Sequence, residues 1–361
     1  MKVSLSQRKI FYLKRVKTSK VKIGVFIDKL IFSLNVLFGV ALLLSLFVPY
    51  ISVKKAPIVA FFSLGIPILV FVNLIFLLFW LLRRRKQGFF SLVVVLISYF
   101  SLGSFFMFRF SETTMEESDL RIMTFNVRGF NKNQHIENPN LVEEITDLIT
   151  TENPDIICFQ EFNFRNRDDF KAYTYRYLEY IKNKGKVTLA IYSKYPILKE
   201  GLVNFPDSPN NAAFADILYK KDTLRIYNLH LESLRIIPDK NALAKEQSSK
   251  LFKRVSQSFE KQQEQAAIIK AHRETVAYKT IVAGDFNGTE YSNVYKTIKG
   301  DDLKDSFKEK GTGYGRTYNF TYYPVRIDFI LADEAMRVVA HKNYDVKLSD
   351  HFPVMASFQW E

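Results

Sequence analysis

Apolar positions along the chain fall into two regimes. Between residues 30 and 108 they run almost without interruption: residues 30–53, 56–82 and 87–108 each contain no charged side chain. Each run exceeds the roughly 20 residues that carry a helix across about 30 Å of hydrocarbon, so three transmembrane helices are expected. Pro67 falls inside the second, where a membrane helix tolerates it. The first run is too long for the apolar part of a signal peptide, and two more follow it.

After residue 118 the runs become short and alternate between two periods. Residues 121–127 (RIMTFNV) alternate as a strand does, 140–151 place Leu141, Ile145, Leu148 and Ile149 at helical spacing, and 155–160 form an apolar run after Asn153 and Pro154. Further strand-like runs lie at 187–192, 213–219, 224–231, 280–284, 326–331 and 351–358. A polar stretch over 242–271 spaces Leu251, Val255, Phe259, Ala266 and Ile269 as a helix. Many strands with few helices predict an α+β domain, a two-sheet β-sandwich with helices packed outside, in preference to a doubly wound parallel sheet. The expected organisation is a basic segment (1–29), a membrane part (30–110), a polar linker (111–118) and a catalytic domain (119–361).

Charge separates the same parts. Residues 1–110 hold sixteen Lys or Arg and one acid, Asp28, whereas residues 111–361 hold thirty-five against thirty-six, so the net +14 lies outside the strand-and-helix part. A basic chain ordinarily suggests nucleic acid, because Lys and Arg neutralise phosphates; here the excess flanks the apolar runs and fits an anionic membrane surface. Thirteen positive charges precede the first run or lie at residues 83–86, against Lys54 and Lys55 between the first and second runs. With the basic side cytoplasmic, three crossings place everything after residue 108 on the opposite face. An integral inner-membrane protein with a cytoplasmic N-terminus and an extracytoplasmic, periplasmic-side catalytic domain is expected. Cys158 is the only cysteine, which excludes a disulfide framework and a thiolate zinc cluster.

Residues with chemistry to offer sit at the ends of the apolar runs, each with an ordinary explanation beside the chemical one. Asn126, in Phe125-Asn126-Val127-Arg128-Gly129, is a turn former or a polar site residue. Glu161, directly after Ile157-Cys158-Phe159-Gln160, marks emergence into solvent or supplies the hard oxygen that Mg2+ prefers. Asn228 and His230 alternate with apolar neighbours and so share one strand face, as do Asp285 and Asn287 in Ala283-Gly284-Asp285-Phe286-Asn287-Gly288. A satisfied core histidine and turn chemistry are the plain alternatives. Asp328 interrupts the run Ile327-Asp328-Phe329-Ile330-Leu331, and a carboxylate there needs a partner. Asp350 and His351 supply an acid and a base before the last strand, and a histidine oriented by a carboxylate suits proton transfer. Arg316 and Thr317, in Gly315-Arg316-Thr317-Tyr318, add a phosphate contact, or Arg316 is a turn residue paired to a surface acid.

The order of these segments resembles the endonuclease/exonuclease/phosphatase superfamily over residues 120–358: N at the first strand, QE after the second, NLH, GDFN, RID and SDH. The resemblance implies a four-layer α/β/β/α sandwich of the DNase I-like type and a Mg2+-dependent phosphoesterase, with Mn2+ as an alternative ion. It implies that Glu161 is the principal metal ligand, with Asn126 beside it and Asp350 supporting the metal side. It further implies that His230 and Asn287 touch the scissile phosphate, that Asp285 positions or deprotonates the attacking water, and that Asp328 orients His351. The base is then His351 or Asp285; Asn228 and Arg316 are carried as phosphate contacts. The set is chemically coherent, because phosphodiester cleavage needs an in-line water, a cation on the non-bridging oxygens and donors around the transition state.

The near-neutral catalytic part disfavours long nucleic acid as a partner. Tethering to a bilayer favours a lipid head group or another envelope-associated phosphate ester. The alternatives are a tethered extracytoplasmic nuclease and an inactive ligand-binding module. Tyr318, Tyr322 and Tyr323 stack on a substrate ring, sit at the bilayer interface, or finish a sheet edge.

Overall fold

Runs rich in β-branched and aromatic residues pair into two six-stranded sheets. In this computed structural model, which describes residues 5–103, 105–109, 115–116, 119–134, 136–179, 188–235, 248–320 and 323–359 (side chains from residue 24), one sheet contains β1 (Leu120–Asn126), β2 (Ile156–Gln160), β3 (Tyr175–Glu179), β4 (Leu189–Ser193), β11 (Arg337–Asn343) and β12 (Val354–Gln359). Their order is β11-β12-β1-β2-β4-β3. The other contains β5 (Ile197–Asn204), β6 (Asn211–Tyr219), β7 (Asp222–His230), β8 (Lys279–Asp285), β9 (Leu303–Asp305) and β10 (Asp328–Asp333), ordered β5-β6-β7-β8-β10-β9. Both sheets are mixed: β1 with β2 and β7 with β8 run parallel.

The period-2 alternation of strands sorts side chains into three apolar layers. Ile122, Ile156, Cys158, Ile191, Ala215, Ile226, Ile281 and Ala356 meet between the sheets. Their neighbours Met123, Phe125, Ile157 and Phe159 turn outward onto Leu141, Ile145 and Ile149 of α4 (Leu141–Glu152). On the far side Tyr227, Leu229, Val282 and Phe329 pack against Ala266 and Ile269 of α5 (Ser248–Arg273) and Val294 and Ile298 of α6 (Asn293–Lys299). A short α7 (Ser306–Lys310) follows β9. The expected helix, sheet, sheet, helix layering is therefore present. The start of the expected strand at 187, residues 242–247 of the expected helix, most of the 111–118 linker and Tyr322 lie outside the described residues.

The N-terminal part contains α1 (Leu5–Ser45), α2 (Pro57–Leu82) and α3 (Gly88–Leu102). Two segments, Gly24–Tyr50 and Pro57–Leu82, are long and apolar enough to cross a membrane. The third expected span differs: α3 has 15 residues, about 22 Å at 1.5 Å per residue. Gly103, at φ 84, ends it, and Met107 then leaves to exchange two backbone hydrogen bonds with Gly313 at 2.8 and 3.0 Å.

The chain divides into two units, Met1–Phe47 with Gly65–Ser104, and Val48–Leu64 with Phe105–Glu361. Within the first, the buried Asn35 carbonyl accepts from Trp80 Nε1 and Ser91 Oγ, both at 3.0 Å, and Asp28 pairs with Arg83 and Arg85. The second is the sandwich together with the turn after α1 and the first eight residues of α2.

Candidate active site

Strand register places the second sheet's polar residues in one transverse row. Asn211 pairs with His230, His230 with Asp285, and Asp285 with Asp328, across β6, β7, β8 and β10. Directly paired positions share a sheet face, so all four side chains rise from one side. Facing them are Asn126 and Gln160, register partners at the ends of the parallel pair β1 and β2. Asn126 Nδ2 donates to Asp285 Oδ2 at 3.1 Å and to Glu161 Oε1 at 3.2 Å, which ties the two sheets together at this end.

His351, at the start of the chain's last strand run, closes the group. Its Nδ1 bonds the Asp328 carboxylate at 3.0 and 3.2 Å, and its Nε2 lies 3.7 Å from Asp285 Oδ2. His230 Nε2 approaches the same Asp285 oxygen at 3.6 Å and Glu161 Oε1 at 3.8 Å. Asn287 donates its backbone N–H to Asp285 Oδ1 at 2.8 Å and its amide to Asp285 Oδ2 and the Leu231 carbonyl. The site thus converges on Asp285. Two residues flanking it hold left-handed backbone, Glu161 at φ 50 and Asn287 at φ 49; such non-glycine conformations persist only where surrounding contacts enforce them.

Burial and charge set the protonation states. Burial pushes Asp285 up to about 6, with the Asp328 charge adding to it and the two histidines opposing. Burial alone would lower His351, but the Asp328 and Asp285 carboxylates outweigh it and raise the imidazole to about 10. Beside them Tyr318, its ring 4.9 Å from that of His351, is pushed up to about 12, first by burial and then by the charge of Asp350, Asp285 and Glu161. Glu161 is the exposed carboxylate of the group, its side chain 39% accessible against 1% for Asp285. No Lys or Arg among the described residues pairs with Glu161, Asp285 or Asp328. The clustered carboxylates therefore retain negative charge that a bound cation would balance, and Asp285, Asp328 and His351 each offer a ligand atom within 4.8 Å of the others.

The structure brings Asn126, Glu161, His230, Asp285, Asn287, Asp328 and His351 into this one place. Asp350 stands at its rim in an ion pair with Arg128 at 2.7 Å. Asn228 requires correction as a phosphate contact: it is fully buried, its amide donates to the Phe159 and Ala190 carbonyls, and its oxygen accepts from Gln160. It is a strut between the sheets. Arg316 pairs with the exposed Asp345 at 2.9 Å and covers the Phe352 ring, matching the plainer of its two readings. Sequence reasoning passed over Asn211, whose amide atoms are both buried without a partner, as is His230 Nδ1. Thr317, expected with Arg316 as a phosphate contact, is buried, and its hydroxyl accepts from the N–H groups of Ile327 and Asp328. Register would have found Asn211, but its own segment, Ser208-Pro209-Asn210-Asn211, reads as a turn.

Comparison with known proteins agrees with this geometry. The profile described as the endonuclease/exonuclease/phosphatase family matches residues 123–351. The chain belongs to that family. Its members are divalent-metal-dependent enzymes that hydrolyse phosphoric ester bonds. Residues 28–105 match a second profile, described as a domain of unknown function. No curated protein matches the sequence. Among solved structures, an endonuclease/exonuclease/phosphatase from Bacteroides vulgatus is similar at 22% identity and TM-score 0.53, covering 68% of this chain and 100% of its own. The Bacteroides thetaiotaomicron mannosyl-6-phosphatase is similar at 17% and 0.51, covering 67% and 100%. D. rerio TDP2 complexed with a single strand DNA product is similar at 15% and 0.52, covering 68% and 100%. At these identities the likeness is one of fold.

Proposed function

We propose that this family member is a membrane-anchored, Mg2+-dependent phosphoesterase acting on a lipid head group or another envelope-associated phosphate ester. The observation that carries the chemistry is the convergence of Asn126, Glu161, His230, Asp285, Asn287, Asp328 and His351 on one point between the sheets. Glu161, the exposed carboxylate of the group, would be the principal oxygen donor for the cation, with Asn126 hydrogen-bonded beside it. A hard divalent ion there supplies charge neutralisation at the non-bridging oxygens.

The protein's own groups do the rest. Asp285, ionised above about pH 6, accepts the proton of the attacking water. His351, held as an imidazolium by Asp328, donates toward the phosphate, as do His230 Nε2 and the Asn287 amide. In this assignment Asp285 is the base.

Anchoring rests on Gly24–Tyr50 and Pro57–Leu82 and on the basic flanks around them. The stretch Val48–Leu64, which runs from the end of the first segment into the start of α2, groups with the catalytic sandwich. The basic flanks at residues 1–29 and 83–86 favour the cytoplasmic side of the bilayer.

The test uses full-length protein in detergent, with hydrolysis of bis(p-nitrophenyl) phosphate, phospholipid vesicles, sugar phosphates and plasmid DNA measured with and without Mg2+. Glu161→Gln and His351→Ala should each lower the Mg2+-dependent rate by about 100-fold or more. Activity indifferent to Glu161 and to chelation would overturn the metal assignment, and preference for plasmid over every smaller ester would make the enzyme a tethered nuclease.

A further inference from the structure

Among the described residues, six polar contacts join the stretch Val48–Leu64 to the sandwich, and they fall on the elements that carry the site. Gln263 of α5 accepts from the Val53 N–H at 2.6 Å and bonds the Ser52 hydroxyl, while its neighbour Glu264 pairs with Lys54 at 2.8 Å. Asn293 donates to the Pro49 carbonyl at 2.9 Å. The buried Thr289, two residues beyond Asn287, donates its hydroxyl to the Ser63 carbonyl at 3.1 Å. Tyr323, on the segment that begins with Thr317 and Tyr318, donates to the Leu64 carbonyl at 2.8 Å.

Apolar packing reinforces these bonds. Val53, Ala60, Phe61 and Leu64 cluster with Leu234, Leu251, Val255 and Phe259, and the Phe61 ring stacks on Phe252 at 5.0 Å. Another face of α5 reaches the catalytic loop: Gln262, fully buried, donates to the carbonyls of Glu232 and Asn287. Neighbouring glutamines on one helix therefore hold the interhelical stretch and the Asn287 backbone. Asn287 holds a left-handed conformation, open to asparagine more than to most residues, and the Gln262 bond to its carbonyl fixes it there.

We infer that Val48–Leu64 is a buttress of the active site, and that Thr289 and Gln262 are positioning residues acting through Asn287. The anchor then does more than hold the enzyme at a surface, because the residues that begin α2 set the loop that presents Asn287 to the phosphate. This rests on the phosphoesterase reading above for its kinetic consequence, but its structural content is independent of any substrate.

The test uses full-length protein in detergent with Mg2+ and bis(p-nitrophenyl) phosphate, comparing wild type with Thr289→Val, Thr289→Ser and Gln263→Ala. Hydrogen exchange is followed in peptides covering residues 286–292. Thr289→Val should lower kcat about tenfold with KM within twofold, as displacement of a catalytic group does; it should also speed exchange across 286–292, with Thr289→Ser restoring both. Gln263→Ala, remote from the loop, should speed the same exchange. Unchanged exchange in Thr289→Val and Gln263→Ala overturns the buttress even if the ester chosen proves a poor substrate. Faster exchange with undiminished kcat overturns the positioning role of Thr289.

Discussion

Replacing Asp328 by Asn keeps the shape of the side chain and removes the charge that faces His351 Nδ1 at 3.0 Å. His351 is raised from 6.5 to about 10, which at ~1.4 kcal/mol per pKa unit is on the order of 5 kcal/mol in favour of the imidazolium. Asp328 is the largest of the three carboxylate contributions, with Asp285 and Asp350, that outweigh burial, so its loss should remove more than half of that preference. A cation that must donate to the phosphate is then lost at lower pH. The alkaline limb of kcat/KM should move acidward by about two units, so kcat/KM should fall only about twofold at pH 8 but roughly 50-fold at pH 10. The assay is Mg2+-dependent ester hydrolysis from pH 5.5 to 10, beside a thermal melt to verify folding. A folded variant whose alkaline limb coincides with that of wild type would refute the reasoning, whatever its rate.

Three further outcomes are expected. Asn211→Leu should lower kcat/KM by about tenfold or more with Tm unchanged or higher, since a buried amide without a partner costs stability; a large drop in Tm with full activity would contradict its place in the site. Gly284→Ala should destabilise the sandwich by more than about 3 kcal/mol, because Gly284 sits at φ 137 and an added Cβ would lie 2.2 Å from the Leu229 carbonyl oxygen, a backbone atom that cannot swing aside; a normal urea midpoint would show otherwise. His341 is pushed down to about 4 by burial against the pull of Asp305, so the unfolded chain binds a proton that the folded one refuses. Stability should therefore fall as pH drops from about 6.5 to about 4, by at most about 3 kcal/mol because the residue keeps some solvent contact, and His341→Gln should flatten that slope in urea melts.

Eight strands were legible in the hydrophobic pattern and four were not, and the four are the sheet edges: β3, β5, β9 and β11. Central strands such as β2 and β4 are buried on both faces and read as unbroken apolar runs. β5 (ILKEGLVN) keeps only Val203 buried, and β11 (RVVAHKN) alternates with charge, as edges exposed to water must. The site was legible for a related reason. Asp285, Asp328 and His351 interrupt or terminate apolar runs, which makes them conspicuous, and the order of the motifs supplied the rest. Asn228 misled because its spacing to His230 shows a shared face and not which atoms fill it. The third membrane run misled because a break at Gly103 depends on one backbone angle, and the residues beyond it are as apolar as those before.

The row Asn211, His230, Asp285 and Asp328 exists because four strands are in register, and register has consequences for inheritance. Substitutions elsewhere in β7 or β8 that keep their length leave the row where it is, within the packing limits set by buried neighbours such as Tyr227, Leu229 and Val282. A single inserted or deleted residue within β7 turns His230 toward the helices and Leu229 toward the phosphate. Descendants of this chain should therefore vary in length at the loops between strands and almost never inside the strands that carry the row.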